Sequence, residues 1–254
     1  MRSGGALTLL SALAFSFILG VPPGHALSLE RRGECVVLLH GLFRTHRAML
    51  PLQWYLDEQG YTTVNRSYSS LTGPIEGMAQ AAVANSVKEC DELDAQRIHF
   101  VTHSLGGILL RQFTSIRPIS GLERVVMLGP PNQGSQLAEY ISGIDSLSWL
   151  QPRAIEQLGT GFESVPLRLG PVSFELGVIA GVLRQESWLP GFPDEVSDGT
   201  VSVAETLVPG MIDFLQMPAS HTFMIWNPDV MSQVAYFLAN GAFNRSLVGE
   251  TVHE

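Results

Sequence analysis

Residues 99–107 read His-Phe-Val-Thr-His-Ser-Leu-Gly-Gly, an apolar segment that ends at Ser104 and continues into a helix-like run. Where a strand turns abruptly into a helix, the residue at the turn takes a strained conformation and its side chain projects from the sheet. Gly106 keeps such a turn free of clashes, and the Leu105 N–H lies at a helix N-terminus, where an oxyanion can bind. The segment predicts a nucleophilic serine, although an ordinary turn after a buried strand fits these residues equally well.

The pattern around the serine departs from the usual G-x-S-x-G at one position. Its first glycine is replaced by Thr102, so that the segment reads T-x-S-x-G. A small β-branched residue can still fit at this place.

A second apolar run lies near the start of the chain, in residues 34–41, which read Glu-Cys-Val-Val-Leu-Leu-His-Gly. A continuous apolar run of this length is typical of a strand buried on both faces of a sheet. It ends at His40 and Gly41, and a glycine lets the backbone approach a bound group closely. We interpret His40 as a packed, hydrogen-bonded residue rather than a base.

A nucleophilic serine requires a base, and the base requires a carboxylate that orients it. Of the seven histidines, His221 has the most suitable surroundings. It follows the apolar stretch 211–217 and precedes a helix that Pro228 could start. A histidine after the last predicted strand suits a triad whose order along the chain is serine, acid, histidine.

The acid that fits this order is Asp198, in the stretch Val-Ser-Asp-Gly-Thr-Val-Ser-Val. Asp-Gly marks a tight turn, which can project a carboxylate from the end of a strand. A plain turn aspartate is the alternative. The rival acids are Asp194, Glu195, Glu205 and Asp213.

Five strings, in chain order LLHGL, VTHSLGG, LGPPNQGS (residues 128–135), SDGTVS and ASHTFM, together resemble the α/β-hydrolase superfamily. Within it they resemble the bacterial lipase- and esterase-like branch related to GPI inositol-deacylase-like proteins. The resemblance covers roughly residues 34–240. It implies an α/β fold, with a mostly parallel central sheet and helices on both faces, and a serine hydrolase that cleaves carboxylic esters through an acyl-enzyme.

The resemblance also implies the roles of individual residues. Its catalytic residues are Ser104, Asp198 and His221. Its oxyanion-hole amides are those of Leu42 and Leu105, and Phe43 replaces Leu42 if the loop is offset by one residue. The substrate does not transfer with the fold. An acyltransferase or thioesterase with the same triad, and a noncatalytic lipid- or partner-binding domain, remain the alternatives.

Composition and net charge limit the classes of binding partner that the protein can have. A length of 254 residues and a hydrophobic content of 45% suit one α/β domain. The formal charge of −9 becomes −10 without Arg2, the only charged side chain of the leader, so nucleic acid and anionic membrane surfaces are poor partners. No metal-binding or nucleotide-binding motif is recognisable, so no cofactor is expected. We expect a small-molecule or lipid ester as substrate, while membrane-surface contact and oligomeric state stay open.

The first 26 residues have the features of a signal peptide: Arg2, an apolar stretch over 6–21, and small residues before Ala26. We expect cleavage after Ala26, a single domain over 27–254, and a periplasmic or secreted protein. The apolar stretch is shorter than the roughly 20 residues of a spanning helix, so an uncleaved membrane anchor is the less favoured alternative.

Export permits a disulfide between the two cysteines, Cys35 and Cys90. Cys35 begins the first strong strand, and Cys90 lies near the end of a predicted helix over 75–93. Both ends should lie on the side of the sheet away from Ser104. A bridge is therefore predicted, with two unpaired core thiols as the alternative.

Strands and helices are predicted to alternate. The strands are 35–40, 61–66, 97–103, 123–128, about 174–180 and 211–217, and the helices are 46–59, 75–93, 105–116 and 229–239.

Two stretches carry large apolar residues outside these elements. The insert over about 131–172 contains Ile141, Leu147, Trp149, Leu150 and Phe162, and the loop 184–197 contains Trp188, Leu189 and Phe192. They could form a cap and an acyl pocket over the serine, or simply pack onto the core.

Overall fold

The central element of the fold is a parallel sheet. The computed structural model describes residues 33–143, 152–183 and 196–247. Within them the strands are β1 (Glu34–Leu39), β2 (Thr62–Asn65), β3 (Arg97–His103), β4 (Leu122–Leu128), β5 (Glu175–Gly181) and β6 (Asp213–Met217). All neighbouring strands are parallel, in the order β2-β1-β3-β4-β5-β6. The predicted α/β-hydrolase fold class is confirmed.

Four main helices cover the two faces of the sheet, and all four were predicted. They are α1 (Leu50–Glu58), which continues a 3₁₀ turn over His46–Met49, α2 (Ile75–Glu92), α3 (Leu105–Ile116) and α8 (Pro228–Asn240). The shorter helices are α4 (Gln136–Ser142), α5 (Arg153–Gln157), α6 (Val165–Arg168) and α7 (Val203–Thr206). Further 3₁₀ turns span Met224–Trp226 and Arg245–Leu247.

The last helix shows how local chemistry sets its ends. The Asn227 side chain accepts the N–H groups of Asp229 and Val230, and Pro228 occupies the first helical position, where its missing N–H costs nothing. Gly241, in the left-handed conformation at φ 75°, ends the helix.

Strand β1 is buried on both faces, which explains its continuous apolar sequence. Val37 and Leu39 pack in one core cluster with residues of α2 and α3. Val36 and Leu38 pack in a second cluster with residues of α1 and α8. The sheet thus lies between two helical layers, and its carboxyl ends meet at one edge, where ligands bind in folds of this class.

Cys35 and Cys90 form a disulfide, as the sequence favoured, and their Cα atoms lie 5.8 Å apart. Cys35 is the second residue of β1, and Cys90 lies in the last turn of α2. Both are fully buried. The bridge therefore ties α2 to the amino end of the sheet, away from the site described below.

The apolar insert is described only in part. Ile141 packs against the core, whereas the Phe162 side chain is 93% exposed. Leu147, Trp149 and Leu150 of the insert, residues 184–195 of the second loop, and residues 1–32 lie outside the described residues, so the cap and the signal peptide stay predictions. In the described ranges no helix is both long enough and apolar enough to cross a bilayer.

Candidate active site

Ser104 lies at the turn between β3 and α3, with φ 54° and ψ −123°. This conformation is strained for any residue with a Cβ atom, and it persists only when its surroundings enforce it. The Ser104 N–H donates to the Leu128 carbonyl over 2.9 Å, and the Gly107 N–H donates to the Ser104 carbonyl over 3.0 Å. Both bonds hold the partly exposed serine at the carboxyl edge of the sheet.

Two glycines after the serine make the turn possible. A Cβ atom on Gly106 would lie 2.6 Å from the Leu39 carbonyl oxygen, so only glycine lets α3 approach β1 this closely. A Cβ atom on Gly107 would lie 3.2 Å from Oγ1 of Thr102, which is fully buried. The second glycine therefore provides the room for threonine at the position that usually holds glycine, a compensation that sequence reasoning missed.

Asp198 and His221 form a buried pair, with 2.6 Å between Asp198 Oδ2 and His221 Nδ1. The second carboxylate oxygen accepts the N–H groups of Thr200 and Val201 over 2.9 and 2.8 Å. The His221 N–H also donates to the Asp198 carbonyl, over 2.9 Å. Because the carboxylate occupies Nδ1, the Nε2 atom of His221 is left to accept a proton.

The pair packs against bare backbone at the ends of two neighbouring strands. A Cβ atom on Gly129, which follows β4, would lie 2.9 Å from Asp198 Oδ2 and 3.0 Å from His221 Nδ1. A Cβ atom on Gly181, the last residue of β5, would lie 2.7 Å from the Asp198 Cβ atom. Sequence reasoning quoted Gly129 within LGPPNQGS without a role. Its position directly after a buried strand was the available signal.

His103 connects the serine to the histidine loop. Its Nε2 lies 2.8 Å from the His221 carbonyl oxygen, and the two imidazole rings lie 4.7 Å apart between centroids. Burial, with the neighbouring His221, lowers the pKa of His103 well below its ordinary value, so the ring is neutral. The neutral ring therefore carries its hydrogen on Nε2, and this N–H donates a hydrogen bond to the His221 carbonyl. Nδ1 has no partner among the described residues.

His40 is packed as expected and takes no part in this pair. Its Nδ1 donates to the Gly41 carbonyl over 2.9 Å, and its ring stacks on Tyr68 with 4.0 Å between centroids. The Tyr68 hydroxyl donates to the His40 carbonyl. Burial lowers the pKa of His40, which keeps the ring neutral.

The two amides predicted for the oxyanion hole belong to Leu105, the first residue of α3, and Leu42, in the loop after β1. Neither N–H donates to another described group. The next residue, Phe43, has φ 57° and stays the alternative to Leu42.

The rival acids have other positions. The Glu205 carboxylate accepts the N–H groups of Ser202 and Gln136 and caps α7. Asp213 begins β6, at the opposite edge of the sheet. Asp194 and Glu195 lie outside the described residues.

A buried arginine that the sequence did not single out anchors the loop beside the pair. The Arg111 guanidinium donates to the backbone and side-chain oxygens of Asn132, both over 3.0 Å, and to the carbonyls of Pro166 and Gly170. Burial lowers the pKa of Arg111 to about 10. An arginine within the apolar run Ile-Leu-Leu-Arg-Gln-Phe of α3 was the available signal. No cluster of metal-ligating side chains occurs among the described residues.

The serine turn and the parallel sheet are accompanied by a match to a known protein family. A sequence model of the alpha/beta hydrolase family matches residues 36–245. The chain belongs to the α/β hydrolase family. The family predicted from the five strings is therefore confirmed, and the closer relation to GPI inositol-deacylase-like proteins stays a prediction.

Lipases and esterases are among the solved structures that this α/β hydrolase resembles. The mature lipase BlEst2 of Bacillus licheniformis is 18% identical, with a TM-score of 0.64 over 83% of this chain and 92% of that chain. Lipase B of Aspergillus fumigatus is 14% identical, with a TM-score of 0.62 over 86% and 57%. The metagenomic carboxyl esterase MGS0156 is 21% identical, with a TM-score of 0.54 over 75% and 65%. At these identities the likeness shows the fold. No curated protein sequence matches the chain.

Proposed function

We propose that this α/β hydrolase is a serine hydrolase that cleaves carboxylic esters through an acyl-enzyme. The observation that carries the proposal is the buried Asp198–His221 pair, joined over 2.6 Å, together with the bond from the His221 carbonyl to His103, the residue directly before the strained Ser104. A carboxylate that orients an imidazole near a partly exposed, conformationally strained serine is the arrangement that acyl transfer requires.

In the acylation step, His221 Nε2 takes the proton of the Ser104 hydroxyl while Oγ forms a bond to the acyl carbon. The electron pair of the carbonyl moves to its oxygen, and the N–H groups of Leu42 and Leu105 stabilise the resulting oxyanion. Asp198 keeps the Nδ1–H tautomer and stabilises the imidazolium.

In the second half of the reaction, the imidazolium gives its proton to the alkoxy oxygen as the bond from that oxygen to the acyl carbon breaks. The alcohol leaves, and the acyl group remains on Ser104. His221 then takes a proton from water as the water oxygen attacks the acyl carbon, and returns the proton to Ser104 Oγ as the carboxylic acid is released.

A fluorophosphonate probe tests the nucleophile. We expect the probe to label Ser104 in the wild type, and Ser104→Ala to abolish both labelling and the hydrolysis of soluble esters. Ser173→Ala, at an exposed serine before β5, is the matched control and should change neither. Unchanged hydrolysis in Ser104→Ala would refute the mechanism, and a folded wild type that is never labelled would favour the noncatalytic binding domain.

Substrate class requires a separate measurement. Hydrolysis rates on esters of increasing acyl length distinguish an esterase of short chains from a lipase. Transfer of the acyl group to an added alcohol in preference to water would favour the acyltransferase.

We also propose that residues 27–254 form a single exported domain. The Cys35–Cys90 disulfide supports this, because disulfides persist in oxidising compartments. The protein isolated from the periplasm or medium should begin at Leu27 on N-terminal sequencing, and an intact residue 1 would favour the membrane anchor instead.

A further inference from the structure

Two loops at the carboxyl edge of the sheet, 42–48 and 222–226, join beside the candidate active site. The first loop carries the proposed Leu42 amide, and the second directly follows His221. The Arg44 guanidinium donates to Thr222 Oγ1 over 3.0 Å, and the indole N–H of Trp226 donates to the Ala48 carbonyl over 2.9 Å.

The joined loops expose three aromatic side chains. Phe43 is 62% exposed, Phe223 61% and Trp226 53%. The rings of Phe223 and Trp226 lie edge to face, with 6.1 Å between centroids. Single exposed apolar residues are ordinary, but a group of them at one place marks an interaction site.

Phe43 adds a second sign of function. Its φ of 57° is uncommon for a large residue and costs on the order of 1 kcal/mol or more. The exposed ring does not compensate for this strain by burial in the core. A strained backbone that presents an apolar ring to solvent suggests a partner for that ring.

The charge of the same loops is opposite to that of the chain as a whole. Arg44 and Arg47 are exposed, and across the described part of the chain neither forms an ion pair with a carboxylate. The two loops contain no acid, and the first acids after them are Asp57 and Asp229, respectively. We call Phe43, Arg44, Arg47, Phe223 and Trp226 the aromatic rim.

We propose that the aromatic rim docks the active site onto a bilayer that contains anionic phospholipids. Aromatic rings enter the interface between headgroups and acyl chains, and guanidinium groups pair with lipid phosphates. If the proposed esterase function holds, the substrate is an acyl lipid drawn from that surface.

This inference departs from the expectation drawn from the net charge of −9. In physiological salt, charges more than about 8 Å from the contact are largely screened. The charge that the lipid surface meets is therefore that of the rim, which is positive.

Vesicle binding tests the docking surface independently of catalysis. All proteins carry Ser104→Ala, so that no lipid is hydrolysed. We compare binding to vesicles of phosphatidylcholine alone with binding to vesicles that also contain phosphatidylglycerol, at low and high salt. We expect the protein to bind the anionic vesicles more tightly and to lose affinity as salt rises.

The double substitution Phe223→Ser with Arg47→Gln should weaken binding to anionic vesicles by about tenfold or more. One basic residue near such a surface contributes roughly fivefold, and the loss of the buried ring contributes the rest. The matched control is Ile116→Ser with Arg117→Gln, which likewise replaces one large apolar side chain and one arginine, at exposed residues of the amino edge. This control should bind as the parent does.

Three outcomes would overturn the docking proposal: no binding to anionic vesicles, equal binding to both lipid compositions, or an equal loss in the control variant. A dimer that the rim substitutions dissociate, detected by sedimentation, would assign the rim to a second copy of the chain instead. Soluble-ester hydrolysis by the protein with Ser104 intact is measured in parallel. Its absence would refute the proposed function and leave the vesicle result standing.

Discussion

The two edges of the central sheet hold their polar side chains in different ways. At the amino edge the polar groups form ion pairs at the surface, among them Glu34–Arg97, Arg124–Glu175 and Asp213–Arg245. At the carboxyl edge the polar groups around the candidate active site are buried, and Asp198, His221 and His103 bind one another and the backbone.

This difference separates stability from activity. An exposed ion pair is screened by water and contributes little to folding. A buried polar group must keep its partners, because losing one leaves the other unsatisfied. Substitutions of the buried groups at the carboxyl edge should therefore change the rate of reaction, because these groups hold the candidate catalytic residues in place. At the amino edge an exposed ion pair should matter little, and the free energy of unfolding should depend on the buried Cys35–Cys90 disulfide and on Asp213, whose carboxylate also accepts backbone N–H groups.

The largest expected effect is that of Asp198→Asn at the carboxyl edge. The amide cannot impose the Nδ1–H tautomer on His221, so kcat for ester hydrolysis should fall by several orders of magnitude, on the order of 10⁴ in the best-studied triad. Asp213→Asn is the matched control and should leave kcat within a few fold. If the two effects were reversed, the assignment of the acid would be wrong.

At the amino edge, reduction of the Cys35–Cys90 disulfide should have the largest effect on stability. The bridge joins residues 55 apart in sequence, which in the chain-entropy model stabilises the fold by about 4 kcal/mol. Chemical unfolding with and without reductant measures this difference. Identical unfolding free energies would show that the bridge does not support this edge.

His103 tests whether the backbone bond to His221 matters for the reaction. His103→Phe keeps a ring but removes the donor to the His221 carbonyl, and should lower kcat by roughly tenfold to a hundredfold, the equivalent of one lost buried hydrogen bond. His103→Gln restores an N–H donor and should recover most of the rate. If both variants lost kcat equally while KM stayed constant, His103 would act through packing alone.

Asp213 should affect stability in a pH-dependent way. Burial alone would raise the pKa of Asp213, but hydrogen bonds from Arg245 and from the Phe243 and Phe214 amides outweigh it and lower the pKa. A lowered pKa stabilises the fold above the unfolded value of about 3.9 and loses this contribution as the pH falls through the folded pKa.

Asp213→Asn should accordingly cost about 1–2 kcal/mol at neutral pH. At acidic pH, below the folded pKa of Asp213, the variant and the wild type should have the same free energy of unfolding. Urea unfolding at both pH values measures it, and a cost that persisted in acid would argue against an ionic origin.

The smallest effect is expected at Thr102. Its buried Oγ1 has no partner among the described residues, so Thr102→Val, which keeps the shape, should change stability by less than about 0.5 kcal/mol or raise it slightly. Thr102→Leu is the contrasting variant, because the space beside Gly107 would not hold it. A large loss in Thr102→Val would reveal a hydrogen bond of the hydroxyl.

The sheet was readable from the sequence because its signals are local. Most strands are short apolar runs bounded by turns, and the observed ends of the described strands lie within two residues of those predicted. The local backbone around Ser104 and Asp198 was also predictable, since a Ser-Leu-Gly-Gly junction and an Asp-Gly turn each specify a backbone geometry. Their catalytic roles stay predictions.

Contacts between distant segments were not readable in this way. The bond from His103 to the His221 carbonyl spans 118 residues. The approach of Gly129 to the Asp198–His221 pair depends on how far β4 extends before it turns. The aromatic rim could not be predicted, because an apolar residue in a loop has the same sequence signature whether it is buried or exposed.

The strand order has a consequence for how this molecule would come apart. Ser104 follows β3, a central strand held between β1 and β4, whereas His221 follows β6, which among the described strands pairs with β5 alone. Edge elements open at lower free energy than central ones. A partial opening that released β6 would displace His221 and leave the serine turn folded. The protein would then lose its activity before it unfolded, and regain it as soon as β6 paired with the sheet again.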